Sequence, residues 1–225
     1  MRPTVAVLAL ALALAACSFG PSPTPPPACP TAAPSADEAQ GILADAERAV
    51  IVTDKGEFTI ELDSSSAPVA VANFVALARC GFYDQVSFHR VIPGFVAQAG
   101  DPQTRDNRDD FAGLGTGGPG YRFEVELPAE DTTYTRYMVA MANAIQYDQG
   151  GQIIGPTDSN GSQFFVMLDD VPGLRPYYSV LGRVTAGTEV VHAIGQVPTT
   201  QTDVPLDPVV IEGIRIESGP EESPA

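Results

Sequence analysis

Val50-Ile51-Val52-Thr53-Asp54-Lys55-Gly56-Glu57-Phe58-Thr59-Ile60-Glu61-Leu62 is the first stretch of the chain whose pattern commits to one structure. Phe58, Ile60 and Leu62 alternate with Glu57, Thr59 and Glu61, the period of a strand with one buried face. Asp54-Lys55-Gly56 supplies the turn, with glycine where a positive φ is needed, so the segment reads as a hairpin. Downstream, Pro68 opens a helix at a position where its missing N–H costs nothing. Along Val69–Arg79, Val71, Phe74, Leu77 and Ala78 form a core-facing stripe, Ala72, Val75 and Arg79 lie on another side, and Gly81 is the stop. A second helix is predicted over Thr188–Gly195 with Val190, Val191 and Ile194 buried. In the closing segment, 208–217, Ile214 and Ile216 alternate with Arg215 and Glu217 as in a strand. Short apolar runs broken by Gly and Pro fill the middle, and no internal repeat is evident. Many short strands with two helices predict a mainly β fold, a closed antiparallel barrel capped by helices.

The hairpin also divides the chain. With 225 residues, 44% of them apolar, there is room for one domain of ordinary size and extra segments. Upstream, proline crowds residues 21–34, so residues 17–36 read as a Pro/Ser/Thr-rich linker that cannot bury enough apolar surface to order itself. Residues 37–48 read as a short helix or a loosely packed lead-in, 49–217 as the domain, and 218–225 as a frayed tail. Arg2 precedes an apolar run, Val5–Ala16, that is too short to cross a hydrocarbon layer of about 30 Å. It ends in Leu14-Ala15-Ala16-Cys17, which resembles the lipobox of bacterial lipoproteins. That resemblance implies a signal peptide over 1–16, lipid on Cys17, and an exported cell-envelope protein anchored to a membrane and facing the extracytoplasmic side. An ordinary signal peptide and a soluble secreted product are the other reading. Of the remaining cysteines, Cys29 and Cys80 either pair in an oxidising compartment or stand as a linker thiol and a small buried thiol. The formal charge is −16 and Lys55 is the only lysine. No basic excess is available to neutralise phosphate, which excludes nucleic acid as a partner.

Inside the domain, Phe88-His89-Arg90-Val91-Ile92-Pro93-Gly94-Phe95-Val96-Ala97-Gln98-Ala99-Gly100-Asp101 resembles the FHRxIPGFxxQxGD signature of the cyclophilins, a family of peptidyl-prolyl cis/trans isomerases. Three more blocks follow in that family's order: the glycine-rich Gly115–Tyr121, Met141-Ala142-Asn143-Ala144, and Asn160-Gly161-Ser162-Gln163-Phe164-Phe165. Later, Val180-Leu181-Gly182-Arg183-Val184 matches the VFGxV strand. The resemblance spans 49–217. It implies an eight-stranded antiparallel barrel closed by a helix at each end, an enzyme acting on X-Pro bonds of exported polypeptides to assist their folding, no cofactor, no metal, and a monomer.

The chemistry suits those residue types. Rotation about an X-Pro bond breaks amide resonance but makes and cuts no bond, and uncatalysed it takes tens to hundreds of seconds. An enzyme needs a grip on the proline ring and a donor aimed at the twisted amide, whose nitrogen has become a better acceptor. By resemblance, Arg90 is the donor and Gln98 positions it. Phe95, Phe165, Leu174, Val96 and Tyr178 form the proline pocket, while Ala142, Asn143 (through its backbone) and Gln163 line the groove for an extended substrate. His89, inside the signature, reads as structural rather than as a base. The chain departs from the family at Gly173, where Trp is frequent, at Tyr178 in place of a histidine, and at Val96 in place of Met. These changes bear on cyclosporin-like macrocycles more than on isomerisation. Ile145–Asp158 is longer than the usual link and reads by default as a neutral surface insertion, with substrate selection as the sharper reading. Asp101–Asp110 reads as a solvated acidic loop, since its spacing is wrong for a calcium loop. A non-catalytic proline-binding module or holdase is the alternative function, and a lipoprotein whose barrel merely scaffolds something else is a third. Retention of Arg90 with its pocket argues against both. No G-x-S-x-G or HExxH supports a hydrolase.

Overall fold

The computed structural model describes residues 26–106 and 113–219. The signal-peptide and Cys17 assignments, the last four residues of the acidic loop and most of the tail therefore lie outside the described residues.

The hairpin forms from β1 (Arg48–Thr53) and β2 (Gly56–Leu62), paired from Arg48↔Glu61 to Thr53↔Gly56. The helix begun by Pro68 is α2 (Pro68–Arg79). Between them and the chain end come β3 (Val86–Phe88), β4 (Arg90–Ile92), β5 (Val96–Ala99), β6 (Met138–Met141), β7 (Ile145–Tyr147), β8 (Ile153–Pro156), β9 (Phe164–Met167) and β10 (Val180–Ala186). Helix α3 (Thr188–Ile194) and β11 (Val209–Glu217) complete the chain. One sheet runs in the order β3-β11-β1-β2-β10-β6-β9-β5-β4, and every pairing in it is antiparallel. Nine strands replace the eight expected because β3 and β4, at the sheet's two ends, are one strand interrupted at His89. Counted as one, they close the ring at eight.

Residues that alternate along the strands sort into two clusters. Phe58, Ile60, Phe88, Val91, Ala97, Val139, Phe164, Val166 and Leu181 fill the barrel core. There Phe164 meets Phe74 and Tyr83 edge-on at 5.5 and 5.7 Å between centroids. Val96, Ala140, Phe165, Met167 and Val180 form a second cluster on the other face of the same strands. The consecutive phenyls of β9 thus serve opposite sides, as the strand period demands.

A third helix, α1 (Ala36–Leu43), precedes the barrel, and its start is set by a capping box between Ser35 and Glu38. It packs against α2, and Arg79 donates to the Ile42 carbonyl at 2.9 Å and pairs with Asp45 at 2.6 Å. Helix α2 is therefore covered on more than the one stripe its sequence marks: Ala72 and Val75 are as fully buried as Phe74 and Leu77. A disulfide joins Cys29 to Cys80 at the end of α2, which settles the two readings of these cysteines in favour of pairing. The linker from residue 29 onward is thereby held to the domain.

Candidate functional site

The register of five strands builds the site on the outer face of the barrel. Arg90 of β4 lies opposite Gln98 of β5, Gln98 opposite Phe165 of β9, Phe165 opposite Ala140 of β6, and Ala140 opposite Val180 of β10. The next row sets Ile92 against Val96 and Val96 against Met167. Side chains in such rows stand about 5 Å apart, so a charged fork, an amide and a phenyl ring come side by side. Gly100 lets β5 approach the 160s segment. Its φ is +94°, and a Cβ there would collide with the Ser162 carbonyl and sit 2.8 Å from the Gln163 Cα.

A cavity of about 130 Å³ opens over this row. It is lined by Arg90 and Gln98, by Phe95, Val96, Phe165, Leu174 and Tyr178, and by Ala142 and Asn143. Every residue assigned from sequence to catalysis or to the proline pocket therefore meets in one place. Tyr178 stands edge-on to Phe165, with centroids 5.2 Å apart and rings at 90°. A Cβ on Gly173 would meet nothing within 4 Å, so the rim is open there. Gln98, Ala142 and Asn143 also line a groove of about 770 Å³ that runs on past Gln163 and the glycine-rich loop.

Hydrogen bonds tie the parts together. Gln98 Nε2 donates to Gln163 Oε1 at 2.9 Å, and Gln163 Nε2 donates to the Gly117 carbonyl at 2.8 Å. The glycine-rich loop is in turn held by Asp101, which is fully buried and accepts from the backbone N–H groups of Gly115 at 2.6 Å, Gly117 at 3.2 Å and Gln103 at 2.8 Å. Asp101 thus departs from the solvated-loop reading: its charge is satisfied by amides, as burial of a carboxylate requires. Among the described residues no cluster of three or more His, Cys, Asp or Glu side chains could hold a metal.

Sequence reasoning missed two residues. Tyr134 is buried under Tyr178, donating its hydroxyl hydrogen to the Tyr178 carbonyl at 2.7 Å and accepting from the Tyr178 N–H at 3.0 Å. Asp203 sits with Oδ2 3.6 Å from Arg90 Nε, and its carbonyl accepts from the Val91 N–H at 2.8 Å. It holds a left-handed backbone with φ of +64°, uncommon outside glycine though tolerated by Asp. No motif marks either residue. Asn143 does more with its side chain than expected: Nδ2 donates to the Tyr177 carbonyl at 2.7 Å, which fixes the wall next to Tyr178.

The electrostatics are those of a largely neutral slot with one cation. Burial raises the Tyr178 phenol above its ordinary value, the nearby Tyr147 phenol adds to this, and the Arg90 charge opposes it, so the hydroxyl stays a donor. Burial lowers His89 to about 4; the Asp101 charge works the other way without outweighing it. His89 is neutral at physiological pH, a packing group beside the site.

Residues 48–216 match the family model described as cyclophilin type peptidyl-prolyl cis-trans isomerase/CLD. Peptidyl-prolyl cis-trans isomerase A of Mycobacterium tuberculosis is 38% identical over 185 residues, covering 75% of this chain and 91% of that protein. A peptidyl-prolyl cis-trans isomerase of Helicobacter pylori is 40% identical over 156 residues, covering 68% and 83%. A crystal structure of a cyclophilin type isomerase from Cryptosporidium parvum superposes with a TM-score of 0.65 at 31% identity, covering 78% of this chain and 99% of that one. The chain belongs to the cyclophilin family and is a peptidyl-prolyl cis-trans isomerase.

The depressed His89 value predicts a pH effect on stability. Between pH ~6.5 and ~4 the unfolded chain binds the His89 proton and the folded chain does not, so stability falls as pH falls through that window. The expected loss is up to about 3 kcal/mol. Denaturant titrations of the wild type and His89→Gln at pH 7 and pH 4 should show the wild type losing that much more than the variant; equal losses would place His89 in water.

Proposed function

We propose that Arg90 is the catalytic donor of this isomerase and that the slot formed by Phe95, Val96, Phe165, Leu174 and Tyr178 grips the proline ring. The observation that carries the reading is the 130 Å³ cavity in which one guanidinium stands beside five apolar or aromatic side chains. An extended substrate lies along Ala142, Asn143 and Gln163. As the amide twists, its nitrogen loses conjugation and gains basicity, and the Arg90 fork donates to that nitrogen and to the prolyl carbonyl. The bond to the nitrogen strengthens in the twisted state over either planar state, which is the condition for rate acceleration, while the bond to the prolyl carbonyl holds the ring in place. Arginine keeps its charge throughout and needs no proton transfer. A crystal structure of the Cryptosporidium parvum relative was obtained in the presence of the dipeptide Ala-Pro, and a ligand of that size suits the slot.

Asp203 acts on this chemistry as a positioning residue. With Nε turned toward its carboxylate, the Arg90 terminal nitrogens are left for the substrate. Both side chains are about 40% exposed, so the pair contributes little to stability, and its left-handed backbone reads as a cost accepted for geometry.

The isomerase works on exported polypeptides as they fold, as a monomer anchored by lipid on Cys17. Supporting this are the Leu14-Ala15-Ala16-Cys17 stretch and the Cys29–Cys80 disulfide, a bond that persists in oxidising compartments. Two acyl chains suffice for stable anchoring. The twelve residue steps from Cys17 to Cys29 reach at most about 37 Å if fully polyproline-like, so the pocket works within that distance plus one barrel width of the membrane.

Three outcomes test these assignments. On an Ala-Pro tetrapeptide, Arg90→Ala should lower kcat/KM at least about tenfold, ~1.4 kcal/mol of transition-state stabilisation, with an unchanged circular dichroism spectrum; equal rates would shift the site's role to binding alone. Asp203→Asn, which tolerates the same backbone, should lower kcat by about three- to tenfold with KM and melting temperature little changed, and should add no loss in an Arg90→Ala background. Mass spectrometry of the membrane fraction should find the mature N-terminus at an acylated Cys17, whereas an unmodified terminus elsewhere would make the protein merely secreted.

A further inference from the structure

The insertion between the Met141–Ala144 segment and Asn160 folds into a hairpin of its own. Strands β7 and β8 pair only with each other, apart from the barrel sheet. Two-stranded hairpins are marginal unless something holds them, and this one is held at both ends. At the tip, Asp148 accepts from the N–H groups of Gly150 and Gln152, each at 2.8 Å. At the base, the Thr157 N–H donates to the Ala144 carbonyl at 2.9 Å, and the Ala144 N–H donates to Ser159 Oγ at 2.7 Å.

That base is the wall of the site. Ala142 and Asn143 line the proline pocket and the long groove, Ala144 lines the groove, and β7 begins at the next residue. The pairing sets Ile145 opposite Pro156 and Tyr147 opposite Ile153, with Ile154 bulged between Ile153 and Gly155. Opposed residues share a face, so one face of the hairpin carries Ile145, Tyr147, Ile153 and Pro156 and no charge. Tyr147 is 60% exposed and Ile153 37%, and the bulged Ile154 is 62% exposed. Elsewhere among the described residues the large exposed apolar side chains, Leu127 and Leu206, are single. Scattered exposure needs no explanation, whereas clustered exposure beside a cleft marks an interaction surface. The face begins at the wall of the site, since Ile145 follows directly on Ala142, Asn143 and Ala144, which line the pocket and the groove.

We infer that the Tyr147–Ile153 face of this hairpin is an accessory subsite of the isomerase, taking an apolar or aromatic side chain of the client polypeptide a few residues from the proline. The inference rests on the proline-pocket assignment above. Four residue steps lead from Asn143 to Tyr147, at most about 13 Å at a strand's rise. An extended client with its proline in the slot therefore reaches the face within roughly four residues. The surface recognises segments that a folded client would have buried. In a chain carrying 28 acidic residues against 12 basic ones, an uncharged ledge beside the pocket separates such segments from acidic ones, which the rest of the surface repels.

The test compares isomerisation of Ala-Pro peptides extended on either side of the dipeptide by Phe-Leu or by Gly-Ser, with wild type, Tyr147→Ser/Ile153→Ser and Gln146→Ser on the hairpin's other face. The expected result is a preference of about five- to tenfold in kcat/KM for one Phe-Leu peptide. It should fall to near unity in the double variant and persist in Gln146→Ser, with the Gly-Ser rates equal in all three proteins. A wild type indifferent to the extension, or a preference that survives the double substitution, overturns the subsite. Loss of the Gly-Ser rate in Arg90→Ala tests the pocket separately, so the two readings fail independently.

Discussion

The site depends on strand register. Arg90, Gln98, Phe165 and Ala140 come from four strands, and they form a row only because each is paired in register with the next. A slip of one residue in any of these pairings would send the side chain into the barrel and bring a core residue out. The barrel interior guards against that. Val91, Ala97, Phe164, Val166 and Val139 are buried on the other face of the same strands, and exposing that set would cost several kcal/mol at about 25 cal/mol per Å². The functional row is held in place by the burial of residues that never touch a substrate.

Around the row, the polar groups are arranged so that little remains to be organised during turnover. Asp101 gathers the amides of the glycine-rich loop, the loop's Gly117 carbonyl holds Gln163, and Gln163 holds Gln98. On the opposite wall Tyr134 clamps the backbone of Tyr178, and Asn143 holds that of Tyr177. Both walls are loops, each pinned by a fully buried side chain, Asp101 on one side and Tyr134 on the other. Such preorganisation suits a reaction with no bond-making step, in which a donor already in place acts selectively on the twisted amide.

Much of this was legible beforehand. The alternation in Glu57–Leu62 marked a strand, Pro68 and Gly81 bracketed a helix that runs from Pro68 to Arg79, and the closing strand lies where its alternation placed it. The residues given pocket roles by the family motif do line one cavity. The misses share a cause. Ala72 and Val75 looked like a second side of α2 because nothing local announces that α1 will pack there. Asp101 looked like one more acid in an acidic loop because its amide partners sit in another segment. The barrel's closure through a strand broken at His89 depends on pairings at both ends of the sheet.

What the sequence alone determined, then, is whatever is written in local periodicity, turn chemistry and contiguous motif: strands, helices, family, and the set of residues that line the candidate site. Tertiary structure alone decided which distant groups meet. The Arg90–Asp203 pair, the Tyr134 clamp, the Cys29–Cys80 bond and the apolar ledge beside the pocket each join positions far apart in the chain or depend on where an insertion turns. The physical reason is that side-chain period reports which face a residue takes, while its partner across space is set only when the whole sheet closes in register.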